Sequence, residues 1–333
     1  MKKLIVIAEV GVNHNGNISL AKKLIKKSKL AGADYVKFQF YSSKKLAKYD
    51  SIKANYQIRR KKKETQYEML KKYELSLSQI KELITYSKKI KINFMVSVFD
   101  LDSLKLFKKL KLNVLKIPSG ELNNFELIEE VAKLKKDIIL STGMSTFDEI
   151  KKTFDYLKKR KNNKSVTVLH CVSSYPTRPE NVYIKNLLKL SKLLNTKVGF
   201  SDHTDGYISS ICALCMGANV IEKHITLNQN MDGPDHKSSL NPVKFKKFVD
   251  KLRETEAILK SVNKKKFSKD ELENSKVVKK SIVAKTFIRK GQKFSKSNIT
   301  TKRPYRGISA SKWFDVLGKT AKKNYIVDEF IKL

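Results

Sequence analysis

Cysteine is scarce in this chain, with three in 333 residues: Cys171, Cys212 and Cys215. Three thiols cannot build a disulfide framework, so the fold must rest on its own core. Cys212 and Cys215 have CxxC spacing but sit in an apolar stretch, 211–216, and read as buried structural thiols rather than a metal or redox pair. Long apolar runs are also missing. None approaches the ~20 residues of a membrane span. The N-terminal run stops at Glu9 after five residues, too short for a signal peptide, so a cytoplasmic protein is expected. No glycine-rich dinucleotide fingerprint follows the first strand-like segment. Acidic residues are outnumbered, 32 Asp+Glu against 71 Lys+Arg, for a net charge of +39. That excess suggests nucleic acid, but its distribution argues against it. Lysines are spread over nearly every helix pattern, and the densest run, Arg59-Arg60-Lys61-Lys62-Lys63, reads as an exposed loop. Neither a nucleic-acid nor a membrane partner is expected; the charge instead suits steering of anionic substrates.

What is present is a regular alternation. Short apolar, β-branched runs fall at 4–8, 34–39, 92–98, 114–118, 138–141, 166–170, 198–201 and 220–224. These read as strands buried on both faces. Helix patterns lie between and after them, near 18–31, 78–91, 102–111, 125–135, 147–159, 184–194, 207–217 and 242–261. Two begin with capping boxes, Ser76-Leu77-Ser78-Gln79 and Thr146-Phe147-Asp148-Glu149. Eight strand–helix units predict an α/β protein with a (β/α)8 TIM barrel over 1–262; the rival is an open doubly wound sheet. A charged, low-apolarity linker is expected at 263–280. A small module is expected at 281–333, with strand-like Ile282-Val283-Ala284, a turn at Lys290-Gly291 and a helix-like 311–317. About 55 residues is marginal for independent folding, so the module should lean on the barrel or on another subunit.

In a barrel of this kind the chemistry sits at the carboxyl ends of the strands. Those ends supply Glu9, Asn13 and His14; Lys37 and Gln39; Ser97; Lys116, Ser119 and Glu121; Ser141; His170 and Tyr175; Ser201 and His203; and Glu222-Lys223-His224. Lys37 and Lys116, with Ser119, Ser141 and Ser201, suit a phosphate or carboxylate clamp. His203 and His224, at the ends of adjacent strands, could share one metal ion with open positions for water and a substrate oxygen. His170 reads equally well as a satisfied core histidine. Any one of these residues alone has a structural explanation; what points to an enzyme is that all eight strands deliver polar groups at one end.

The segments Ala8-Glu9-Val10-Gly11-Val12-Asn13-His14-Asn15-Gly16, Lys37-Phe38-Gln39, Lys116-Ile117-Pro118-Ser119-Gly120-Glu121, Leu140-Ser141-Thr142-Gly143-Met144, Ser201-Asp202-His203-Thr204, Glu222-Lys223-His224 and Gly233-Pro234-Asp235-His236 occur in this order. Together they resemble the sialic acid synthase family, whose members make N-acetylneuraminate, legionaminate and related nonulosonates. The resemblance spans essentially the whole chain, with 281–333 similar to that family's antifreeze-like SAF domain. It implies a phosphoenolpyruvate-dependent transferase that forms a carbon–carbon bond to an N-acylated mannosamine-type sugar and releases phosphate. It further implies that Lys37, Ser97, Lys116, Ser119, Ser141 and Ser201 hold phosphoenolpyruvate, and that His203 and His224 bind manganese or magnesium. Gln39, Glu121, Tyr175 and Asp235 would hold the sugar, and Glu9 would act on the attacking water or the tetrahedral intermediate. Arg303 would reach the partner's site in a domain-swapped homodimer. Phe38 and Ser173 stand where N-acetylneuraminate synthases tend to carry His and Asn, which leans toward a legionaminate-type product. A pseudaminate-type synthase, a lysine Schiff-base aldolase on the same barrel and a glycan-binding protein are the alternatives.

Overall fold

The computed structural model describes residues 4–54, 57, 64–160, 165–260 and 267–333. The basic run 59–63 lies outside the described residues. The chain divides into two compact units, Met1–Ser261 and Val262–Leu333.

The first unit is a closed barrel of eight parallel strands in sequential order. They are β1 (Ile5–Gly11), β2 (Tyr35–Phe40), β3 (Asn93–Val98), β4 (Val114–Ile117), β5 (Asp137–Ser141), β6 (Val166–Cys171), β7 (Val198–Asp202) and β8 (Val220–His224), and β8 closes onto β1. The open-sheet rival is thereby excluded. The strands are almost wholly buried because helices cover their outer faces. Inside the barrel, Ile7, Met95, Ile139, Leu169 and Val220 form a separate apolar plug. With this plug beneath them, the carboxyl ends of the strands carry the polar side chains that face a large cavity.

Eight helices follow the strands: α1 (Ile18–Leu30), α4 (Leu77–Lys89), α5 (Leu101–Phe107), α6 (Phe125–Ala132), α7 (Phe147–Arg160), α8 (Asn186–Leu194), α9 (Ile208–Cys215) and α10 (Pro242–Leu259). Both capping boxes form: Ser76 Oγ accepts from the Gln79 N–H, and Thr146 Oγ1 from that of Glu149. The long connection after β2 adds two helices that the sequence reading did not assign, α2 (Ser43–Leu46) and α3 (Gln66–Tyr73). The signal for α3 was a third capping box, Thr65 with Glu68. On α9 the expectation of two buried thiols does not hold: Cys212 is half-buried, and Cys215, in the last turn, is exposed.

In the second unit the stretch read as linker contains a helix, α11 (Lys269–Val278), none of whose residues is buried. Strands β9 (Ser281–Ala284) and β10 (Ile299–Lys302) pair antiparallel. Ile282, Phe294, Val316 and Tyr325 are among the residues of a small core. The helix-like 311–317 is a 3-10 turn, Ala310–Lys312, running into α12 (Trp313–Val316).

Candidate active site

Alternation along a strand puts residues i and i+2 on the same face. Lys37 and Gln39 on β2, and Glu222 and His224 on β8, therefore point into one cavity, as do Ser201 on β7 and His203 just beyond it. Register does the rest. Glu9 pairs with Lys37 on one side and His224 on the other, Gln39 pairs with Ser97, Ser97 with Lys116, and Ser201 with Glu222. The resulting cavity holds about 590 Å³ and is lined by twelve of the expected site residues: Glu9, Lys37, Gln39, Ser97, Lys116, Ser119, Ser141, Tyr175, Ser201, His203, His224 and Asp235.

Glu121 is not among the lining residues, and Arg303 is the residue expected at a partner's site. Glu121 ends a 3-10 turn and does not line the cavity; its Oε2 accepts from the Asn124 amide at 2.7 Å. Arg303 lies in the second unit, exposed just past β10. Three strand-end residues prove to be scaffold. Asn13 Nδ2 donates to Ile225 O and Ser239 Oγ, both at 2.8 Å. His14 is fully buried and accepts the Gly16 N–H at Nδ1. His170 is the satisfied core histidine, donating from Nε2 to Val182 O at 2.7 Å.

The residue that sequence reasoning passed over is Glu222, noted only as part of a motif. Its carboxylate accepts from Lys116 Nζ at 2.9 and 3.1 Å and from Ser201 Oγ at 2.8 Å, and it lies 3.7 Å from Lys37 Nζ. Lys37 also pairs with Glu9 at 2.9 Å. All four charged groups are buried. Burial opposes the charge on Glu222, but Lys116, Lys37 and the Ser201 hydroxyl outweigh it and hold the carboxyl well below the usual carboxylate range. Burial likewise opposes the Lys37 ammonium, yet Glu222 and Glu9 raise its pKa. Lys116 is lowered by burial, which Glu222 offsets only in part. On Glu9 burial wins over the pull of Lys37 and raises the carboxyl to about 7. The floor thus carries two ammonium groups, one firm carboxylate and one carboxyl that exchanges its proton near neutrality. That balance suits an anion carrying several charges.

Beside the lysines the chain narrows around Gly143, whose N–H donates to Ser119 Oγ at 3.0 Å. A Cβ here would collide with Ser173 Oγ and come within 2.9 Å of Ser119 Oγ and 3.1 Å of Cys171 Sγ, so any larger residue must turn these side chains aside. Ser141 Oγ is buried and has no hydrogen-bond partner among the described residues.

The two imidazoles lie with ring centroids 5.8 Å apart, and the Tyr175 ring packs 4.1 Å from His203. His203 Nδ1 faces Val172 O at 2.6 Å. A carbonyl only accepts, so Nδ1 carries the proton and Nε2 presents its lone pair. Ser201 Oγ lies 3.3 Å from that Nε2, but its single proton is directed to Glu222. On His224, Nδ1 is buried without a hydrogen-bond partner. Burial pushes His203 down to about 4 and His224 well below the usual imidazole value, so both rings are neutral at physiological pH. Two neutral imidazoles, with His203 Nε2 met by Ser201 Oγ at 3.3 Å and His224 Nδ1 3.9 Å from Asp235 Oδ2, fit a divalent cation. No third His, Cys, Asp or Glu completes a metal cluster among the described residues. The strand-end turn that aims His203 is fixed from behind. Buried Asp202 accepts from the Thr204 N–H, the Thr204 and Ser210 hydroxyls and Lys223 Nζ, which explains the Ser-Asp-His-Thr order.

Known proteins are similar to this chain over most of its length. The chain is 45% identical over 334 residues to the N,N'-diacetyllegionaminic acid synthase of Campylobacter jejuni, covering 100% of both chains. It is 32% identical to the pseudaminic acid synthase of the same species, covering 99% of this chain and 96% of that one. Among solved structures, the N-acetylneuraminic acid synthetase of Leptospira borgpetersenii, in complex with citrate, superposes with a TM-score of 0.71 at 28% identity, covering 82% of this chain and 90% of that one. Residues 279–332 match the SAF domain and residues 24–264 match the NeuB family, and the chain belongs to that family.

Proposed function

We propose that this protein is a nonulosonate synthase that condenses phosphoenolpyruvate with an N-acylated mannosamine-type sugar, releasing phosphate and giving a legionaminate- or N-acetylneuraminate-type acid. The observation that carries this reading is the floor of the cavity. Two buried lysines converge on one carboxylate, ringed by hydroxyls, beside two neutral imidazoles and a carboxyl whose pKa is about 7.

Lys37 and Lys116, with Ser97, Ser119, Ser141 and Ser201, hold the phosphate and carboxylate of phosphoenolpyruvate. His203 and His224 would hold manganese or magnesium, which when bound supplies Lewis acidity toward a substrate oxygen. Gln39, Tyr175 and Asp235 orient the open-chain sugar so that its aldehyde carbon faces carbon 3 of phosphoenolpyruvate. Attack by carbon 3 leaves positive charge at carbon 2, where water adds. Glu9 takes the proton of that water, a task suited to a pKa near neutrality. Loss of phosphate then leaves the keto acid, and the two lysines neutralise the departing charge. Arg303 serves the site of a partner subunit in a domain-swapped homodimer, and Glu121 is assigned to the sugar with Gln39, Tyr175 and Asp235.

The 32% identity to a pseudaminic acid synthase keeps a pseudaminate-type product as the second reading. A Schiff-base aldolase needs a neutral amine; Glu222 and Glu9 hold Lys37 as the ammonium, whereas burial lowers the Lys116 pKa, so inactivation by borohydride in the presence of substrate is the test that separates this alternative. Replacing Glu9 with Gln tests the proposal. Turnover should fall at least about 100-fold, with binding of phosphoenolpyruvate retained. Unchanged turnover would remove Glu9 from the reaction.

A further inference from the structure

Asn13-His14-Asn15, the segment just past β1, does not line the catalytic cavity. The chain there folds into overlapping turns, with the Asn13 N–H donating to Val10 O, Asn15 N–H to Val12 O and Asn17 N–H to His14 O. Both asparagine side chains reach away from this segment, to the loop after β8. That loop leaves the strand at Ile225 and returns beside it at Leu240, whose N–H donates to His224 O. Between these points it carries Pro234 and Asp235 to the cavity.

The loop is tied on both sides of Asp235. Ahead of it, Asn15 Nδ2 donates to Asp232 O at 2.9 Å. Behind it, Asn13 Nδ2 donates to Ser239 Oγ at 2.8 Å, and Ser239 Oγ donates to Asp235 O at 2.6 Å. The buried His236 ring adds a third tie. Asn15 Oδ1 can only accept, so His236 Nε2, 3.1 Å away, carries the proton, and Nδ1 accepts from Thr226 Oγ1 at 2.6 Å. A Cβ on Gly233 would lie 2.6 Å from His236 Cδ2 and 3.0 Å from Asn15 Oδ1, so the loop backbone packs directly on this pair.

The place held for Asp235 is a tight one. Strand β1 bulges between Glu9 and Gly11, and Gly11 has φ +55. A Cβ on Gly11 would lie 3.2 Å from Glu9 Oε1, 3.4 Å from Asp235 Oδ2 and 3.5 Å from His224 Cε1. Three groups assigned to the reaction thus meet over one glycine, and displacing one of them by about 1 Å is enough to spoil an aligned site.

We infer that Asn13 and Asn15 are positioning residues that act through Asp235, holding the loop after β8 so that this carboxylate stands beside Glu9 and His224. This rests on the synthase reading above. Loosening either tie disturbs use of the sugar and not of phosphoenolpyruvate.

The test uses Asn15→Gly, which tolerates φ +51 while removing both bonds, and Ser239→Ala, which cuts the link to Asp235 O. Phosphate release is followed with phosphoenolpyruvate, manganese and 2,4-diacetamido-2,4,6-trideoxymannose. Each variant should lower kcat/KM for the sugar about 3- to 10-fold, the worth of one or two hydrogen bonds, and leave the KM for phosphoenolpyruvate unchanged. In an Asp235→Asn background neither substitution should cost anything further. This cycle is read both as kcat/KM and as the dissociation constant of the sugar with manganese withheld, so an inactive Asp235→Asn protein does not end it. Full losses in that background, or losses shared by both substrates, would show that the amides only brace the fold, and would overturn the assignment while the synthase reading stands. Unsubstituted protein that releases no phosphate with this sugar or with N-acetylmannosamine would overturn the synthase reading and the assignment with it.

Discussion

Glu222 joins the two lysines, and its removal should be felt in stability as well as in binding. Glu222→Gln leaves Lys116 buried beside no carboxylate. Breaking a buried pair in this way costs about 3–5 kcal/mol, to be seen as a lower urea midpoint together with a raised KM for phosphoenolpyruvate. An unchanged midpoint would mean that water, not Glu222, solvates Lys116. His14 gives a second test, outside the cavity. Burial, then the charge of His236, lowers its pKa to about 4. The folded state therefore holds the ring neutral and costs nothing extra above pH 6.5, where the unfolded ring is neutral too. As pH falls from 6.5 to 4 the unfolded chain takes up a proton that the folded chain refuses. Stability should drop by on the order of 3 kcal/mol across that window. An NMR titration of the His14 ring should show its midpoint near 4; a midpoint near 6.5 would contradict the buried, neutral assignment.

Among the elements, α3 stands or falls on its cap. Thr65→Ala removes one half of the reciprocal bonds and should cost about 1 kcal/mol. The loss should appear as faster amide exchange across Gln66–Tyr73, with the barrel strands unaffected. Uniformly faster exchange would show that α3 is part of the cooperative core instead. The barrel strands were legible in the sequence because each is a short β-branched run closed by polar residues, and the layer of apolar side chains in the barrel needs that composition. Helix α3 was not. Its Gln66, Met69, Leu70 and Tyr73 make only a two-turn stripe, easily lost after the basic run at 59–63. Glu222 was legible in principle: Lys223 between Glu222 and His224 must face outward by alternation, and it does, onto Asp202. Two polar groups on the inner face of a buried strand end ask for partners, and only the closed register shows that Lys116 is one of them. Glu121 shares a motif with Lys116 and Ser119, but a 3-10 turn separates it from the strand, so alternation does not govern where it points.

At the scale of the whole molecule, the net charge of +39 should draw anionic phosphoenolpyruvate toward a cavity that is itself cationic. Its kcat/KM should then fall about tenfold as salt rises from 50 to 500 mM, while kcat stays nearly constant; a flat salt profile would assign the lysines to solubility alone. If Arg303 serves a partner's site, inactive Glu9→Gln and Arg303→Ala proteins should regain part of the activity when mixed and allowed to exchange subunits, because one site in the hybrid then has both groups intact. No recovery under conditions of proven exchange would place Arg303 in its own chain's site or in none. Two lysines, two imidazoles and Glu9 are proposed to serve one condensation of phosphoenolpyruvate with a sugar. Phosphate release from phosphoenolpyruvate, followed with manganese, with and without 2,4-diacetamido-2,4,6-trideoxymannose, and again after addition of a chelator, tests it most directly. Release should require the sugar, stop with the chelator and resume when manganese is restored in excess; release that ignores the sugar, or that survives the chelator, would contradict it.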